Sequence, residues 1–109
     1  MDIQLRRGIL DVCVLTALSR GESYGYRLVR DVSEIIEITE STLYPILKRL
    51  QAGGYVTVRS MEHNGRLRKY YEITESGRQR VLDFLKEWQE LARVLRAIEA
   101  EVEGEREGR

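Results

Sequence analysis

Apolar positions along this chain fall into helical stripes separated by one pair of alternating runs, and their order outlines an architecture. Leu5, Ile9, Val12, Leu15 and Leu18 recur at spacings of four and three, which places them on one face of a first helix stopping near Gly21. Ser23 is placed to cap a second helix, whose buried stripe is Leu28, Val29, Val32, Ile35 and Ile36. A third helix buries Leu43, Ile46, Leu47 and Leu50. Thr39 and Ser41 compete to cap it. Ile38 and Leu43 form a hydrophobic staple around Thr39, but Pro45, which lacks a donor and suits only a helix start, favours Ser41. Gly53-Gly54 ends the helix, and the short link at Glu37-Ile38-Thr39 makes the second and third helices a helix-turn-helix candidate.

Tyr55-Val56-Thr57-Val58 and Leu67 to Ile73 are rich in β-branched and aromatic residues, and Glu62-His63-Asn64-Gly65-Arg66 between them carries the Asn-Gly signal of a hairpin. Alternation sends Leu67, Tyr71 and Ile73 to one face of the second strand and Arg68, Tyr70 and Glu72 to the other, with Lys69 on the inner parity near the tip. Helical periodicity returns at Thr74. Val81, Phe84, Trp88, Leu91, Leu95, Ile98 and Val102 then keep alternating spacings of three and four, an a/d heptad pattern that calls for a partner helix. The expected fold is mainly α with a two-stranded β wing: a winged helix-turn-helix over residues 1–74, a coiled-coil dimerisation helix over 75–103, and a disordered Glu- and Gly-rich tail over 104–109.

At 109 residues, with 42% apolar and 33% charged positions, the chain has room for one small domain and an appendage. Its single cysteine, Cys13, excludes an internal disulfide framework and fits a small core residue. No stretch has the layout of a membrane span or a signal peptide, so the expected compartment is the cytoplasm. Net charge is zero but unevenly spread. From Ser41 to Arg80 there are eight basic residues against three acidic ones, and the glutamates of the tail offset that surplus. A basic middle and an acidic end suit electrostatic steering toward phosphate.

A helix of the third segment's size fits the major groove, where Thr42, Tyr44, Lys48 and Arg49 would bring hydroxyls and cations to base edges and phosphates. At the wing, Asn64, Arg66 and Arg68 are placed to straddle the backbone or enter the minor groove. His63 stands alone without neighbours at metal-ligand spacing, and Cys13 has no base near it in the sequence, so neither a metal, a cofactor nor an enzyme is expected.

Four segments carry a resemblance: Glu22-Ser23-Tyr24-Gly25-Tyr26; Ser41-Thr42-Leu43-Tyr44-Pro45-Ile46-Leu47-Lys48-Arg49-Leu50; Gly65-Arg66-Leu67-Arg68-Lys69-Tyr70-Tyr71; and Ile73-Thr74-Glu75-Ser76-Gly77-Arg78. In order and spacing the chain resembles PadR-family transcriptional regulators of the short subtype with a single C-terminal helix. That resemblance implies a homodimer that binds a palindromic operator, usually as a repressor, and dimerises through the last helix. The DNA-contacting residues would be Tyr24, Ser41, Thr42, Tyr44, Lys48, Arg49, Arg66, Arg68, Lys69 and Tyr70. For Trp88 it leaves two roles open: packing the dimer seam, or stacking a small aromatic or cationic effector at the dimer interface, as in some relatives. The chain departs from the family pattern in two places: the turn before the third helix is short and lacks a glycine, and Leu67 occupies a wing position where proline or a polar residue is common. The alternative from another class is a protein-interaction module that uses the winged helix and coiled coil without sequence-specific DNA binding.

Overall fold

The computed structural model of the chain describes residues 1–106. Its elements run α1 (Ile3–Leu18), β1 (Ser23–Tyr24), α2 (Gly25–Ser33), α3 (Glu40–Ala52), β2 (Val56–His63), β3 (Arg66–Ile73) and α4 (Glu75–Arg106). Asp2 starts α1 by accepting the amides of Gln4 and Leu5, two of the donors that a helix start leaves unpaired. The five-residue stripe expected on this helix understates its role. Leu10, Val12, Cys13, Val14, Leu15, Ala17 and Leu18 are all buried, because α2, α3, β3 and α4 pack against the helix, while Leu5 and Ile9 are only half-buried.

Ser23 does not cap α2. It pairs with Tyr71 as Tyr24 pairs with Tyr70, adding a short strand that makes an antiparallel sheet of three strands in the order β1-β3-β2, rather than a bare two-stranded wing. The backbone of this segment finds its partners in β3, and α2 starts at Gly25 without a side-chain cap. Leu28 and Val32 are buried, Val29 and Ile36 half-buried, and Ile35 lies beyond the helix end, in solvent.

Thr39, not Ser41, is the N-cap of α3: the amides of Thr42 and Leu43 both reach its carbonyl, and Ile38 and Leu43 are buried in one cluster. Pro45 therefore stands well inside the helix. The hydrogen bond it forfeits falls on an exposed face, where water can satisfy the freed carbonyl, so the helix continues. At the other end the Tyr55 amide bonds the Leu50 carbonyl and the Gly54 amide that of Gln51, with Gly54 at φ 79°, a Schellman ending that requires the left-handed conformation glycine adopts at little cost.

The wing is longer than its sequence signals. β2 and β3 pair without a break from Val56↔Ile73 to His63↔Arg66, and Asn64 (φ 52°) with Gly65 (φ 79°) forms the two-residue turn expected of Asn-Gly. Only the base of the hairpin is covered by helices. Tyr71 and Ile73 are buried, but Leu67 on the same parity is 80% exposed and does not face a core, because the strand outruns the helical layer.

Thr74 joins the wing to α4. Its amide donates to the Tyr55 carbonyl, its hydroxyl donates to the Gly54 carbonyl and accepts from the Gly77 amide, and Ser76 adds a second hydroxyl to Gly54. Gly77 lies so close to the Tyr55 carbonyl and Ile73 that no side chain fits there. The heptad pattern on α4 serves two surfaces. Val81 packs on the domain's own core and Phe84 on Gly8 of α1, with Trp88 half-buried beside Phe84, whereas Leu91, Leu95, Ile98 and Val102 stand exposed. Residues 104–106, expected in a disordered tail, continue the helix, and 107–109 of that tail lie outside the described residues.

Candidate nucleic-acid interface

α3 has two faces with different duties. Leu43, Ile46, Leu47 and Leu50 fill the core, while Ser41, Tyr44 and Lys48 are exposed and Thr42 is half-buried. Arg49 departs from the expected position. One residue beyond Lys48 the helix has turned about 100°, and the Arg49 guanidinium reaches inward to donate to the Asp11 carboxylate of α1. It is an internal contact rather than part of the exposed face.

Facing α3, the wing and the start of α2 enclose an open cavity of about 750 Å³, bordered by Tyr24, Gly25, Tyr44, Asn64, Arg66, Arg68 and Lys69. Tyr44 crosses directly over Gly25, so close that a methyl group on Gly25 would collide with the phenol oxygen; the glycine in Tyr24-Gly25-Tyr26 is thus a packing requirement of Tyr44. Tyr24 occupies the floor between two cations. The Arg68 guanidinium carbon stands 4.1 Å from its ring centroid and that of Arg27 4.9 Å, while Tyr70 meets it edge-on at 5.8 Å. Arg66 and Lys69 are exposed at the rim, and Arg68 and Tyr70 are half-buried in this stack.

A second pair stiffens the floor. Glu22 accepts two hydrogen bonds from Arg59, at 2.5 and 2.6 Å, tying the segment before β1 to strand β2; Arg59 also lies 5.7 Å from the Tyr70 ring. The bond from Arg59 holds the Glu22 carboxyl below its ordinary value, and the same bond raises Arg59. Burial pushes the Tyr71 hydroxyl up, so it stays protonated as a packing residue. Because Glu22 neutralises Arg59, the cations at this cavity are Arg66, Arg68 and Lys69, with Arg27 held on the Tyr24 ring; Glu40 borders it from α3, whose exposed face also carries Lys48.

Of the ten residues named from the sequence, nine thus lie on α3's outer face, on the wing, or in the stack between them, and Arg49 does not. Sequence reasoning missed Arg27, Arg59 and Glu22. Arg27 stands one helical turn after Tyr24, a spacing that signals contact on a helix. The Glu22–Arg59 pair depends on the strand pairing of Ser23, which no periodicity in a two-residue strand announces. Chemically, the surface offers hydroxyls, cations and aromatic edges along one concavity, the composition that holds a polyanion by its phosphates and leaves a helix free to meet base edges.

The profile described as the transcriptional regulator PadR-like family matches residues 14–83. The negative transcriptional regulator PadR of Bacillus subtilis is 30% identical over 71% of this chain and 45% of its own length. Its crystal structure in complex with operator DNA superposes with a TM-score of 0.66 at 29% identity, over 71% of this chain and 46% of that one. A PadR-like transcription factor from Bacteroides fragilis gives a TM-score of 0.78 at 29% identity, covering 87% of this chain and 94% of that one.

Proposed function

This chain belongs to the PadR-like family of transcriptional regulators, and from that premise we propose that it is a homodimeric repressor that binds a palindromic operator. The observation that carries the reading is the concavity in which Tyr44 of α3 faces Arg66, Arg68 and Lys69 of the wing across Tyr24, beside the exposed face of α3 that carries Ser41 and Lys48. In this reading α3 enters the major groove. Thr42 and Tyr44 approach base edges or phosphates, Lys48 neutralises a phosphate, and the wing arginines follow the backbone into the neighbouring minor groove. The Bacillus subtilis relative, solved with its operator and described as a negative regulator, supports both the DNA partner and the repressor role.

The bare outer half of α4 supports a pair of copies. Leu91, Leu95, Ile98 and Val102 continue a heptad seam with nothing against it among the described residues, and in the proposed dimer a second copy covers it while the two α3 helices meet successive major grooves, about 34 Å apart. Trp88, half-buried where the inner packing gives way to the open seam, is the residue on which a flat aromatic or cationic effector would stack to alter that separation.

Fluorescence anisotropy with duplex DNA from upstream of the protein's own gene, beside a scrambled duplex, at low and near-physiological salt, tests the reading. Tight binding to the native duplex alone that survives the higher salt is the expected result. Equal, weak binding to both that vanishes with salt would refute sequence-specific recognition of that duplex and favour docking of an acidic protein by the same surface.

A further inference from the structure

The ion pair between Asp11 and Arg49 sits where stability alone gives no reason for one. Asp11 is 7% exposed, flanked on α1 by Leu10 and Val12, and the Arg49 Nε is buried with no hydrogen-bond partner. Burying the Asp11 carboxylate, with Arg49 still one-third exposed, is unfavourable, and a well-packed apolar pair of similar size is commonly as stable or more so. The pair does supply direction. Leu43, Ile46, Leu47 and Leu50 hold α3 by non-directional apolar contacts, whereas a guanidinium bonded to a carboxylate favours one rotation and one register. α1, which carries Asp11, also carries Gly8, against which Phe84 of α4 is packed.

We propose that Arg49 is a positioning residue for recognition: held by Asp11, it sets the roll of α3 on α1, and so the angle at which Ser41, Tyr44 and Lys48 are presented relative to the α4 scaffold. The inference rests on the DNA-binding reading above and assigns Arg49 a role distinct from a phosphate contact. Phosphate contacts tolerate small rotations of a helix, but base-edge contacts do not, so loosening the pair lowers discrimination between sequences more than it lowers attraction to DNA.

The test replaces the pair by apolar residues, Asp11→Leu with Arg49→Met, beside Asp11→Asn, which keeps an acceptor for the guanidinium. Three quantities are measured: melting temperature, affinity for the duplex that the wild type prefers and for a scrambled duplex across a salt series, and N–H residual dipolar couplings of the free protein. The double variant is expected to melt at or near the wild-type temperature and to keep the wild-type salt slope. Its ratio of preferred to scrambled affinity should fall about tenfold or more, the value of a base contact. Asp11→Asn should retain most of that ratio. A salt slope reduced by about one would make Arg49 a phosphate contact and overturn the proposal, as would an unchanged affinity ratio. The dipolar couplings separate this inference from the function it rests on. They should show α3 reoriented or less ordered relative to α1 in the double variant, and identical couplings overturn the proposal even if the wild type prefers no duplex at all.

Discussion

Replacing Gly25 by Ala should damage recognition while sparing the fold. A methyl group built on Gly25 stands 3.0 Å from Cζ and 3.4 Å from Cε1 of Tyr44, with the phenol oxygen nearer than either, where ordinary contact begins at about 3.4 Å. The obstacle is the end of a half-exposed side chain, so the phenol swings outward and the backbone stays. Gly25 is the first residue of α2, where Ala is at least as good a helix former, and the stability change should lie within about 1 kcal/mol in either direction. The cost falls on the hydroxyl. A displacement on the order of 1 Å takes it out of hydrogen-bond range, and a bond to an ionised phosphate is worth roughly 1.5–3 kcal/mol. That converts to about tenfold to a hundredfold in Kd for each half-site. Anisotropy at fixed salt, with thermal melting on the same samples and Tyr44→Phe as the companion that removes the oxygen without moving the ring, measures it. Wild-type affinity in Gly25→Ala at an unchanged melting temperature would refute the reasoning, because the phenol would then have moved without consequence.

Other outcomes follow from the same geometry. Gly77→Ala should destabilise by about 1–3 kcal/mol, since the new methyl meets the fixed Tyr55 carbonyl as well as the buried Ile73; an unchanged melting temperature would contradict that packing. Leu95→Glu combined with Ile98→Glu should leave a folded monomer in sedimentation velocity, and a surviving dimer would rule out the outer seam of α4. Leu67→Ser should alter the melting temperature negligibly, within about 0.5 kcal/mol, because the side chain is in solvent. Arg59 holds the Glu22 carboxyl below its ordinary value, so the pair's contribution to wing order is present above the unfolded carboxylate value and is lost as pH falls through the folded one. Carbon NMR titration should give Glu22 a lower midpoint than the freely exposed glutamates, and Arg59→Ala should raise it; equal midpoints would remove the pair from solution.

Much of this molecule was legible because local chemistry dictated it. Asn64-Gly65 can hardly be anything but a tight hairpin turn once alternating strands flank it, and the leucines of α3 announce one buried face. What escaped depended on where an element ends relative to its neighbours. Leu67 obeys the inner parity of β3, yet parity implies burial only where a helix lies beneath the strand. Ser23 has the chemistry of a cap, but its backbone found a better partner in Tyr71. The heptads of α4 read as one seam because spacing cannot tell an intramolecular neighbour from a second chain, and Phe84 turned out to face its own α1. Arg49 illustrates the limit for function. A cation beside Lys48 looks like surface until the carboxylate of Asp11, 38 residues earlier, is brought under it by the tertiary fold.

The uncovered outer half of α4 links the behaviour of this regulator to its abundance. In the proposed dimer this seam closes between copies and so would obey mass action: dilution would favour separate chains whose apolar stripe faces water and whose apparent stability falls with concentration. On that proposal, where dissociated chains predominate the amount of dimer would grow as the square of the total chain, so halving the supply would cut the dimer fourfold. Gene dosage would then be felt at the operator more steeply than in proportion, a threshold response obtained from Leu91, Leu95, Ile98 and Val102 without any ligand.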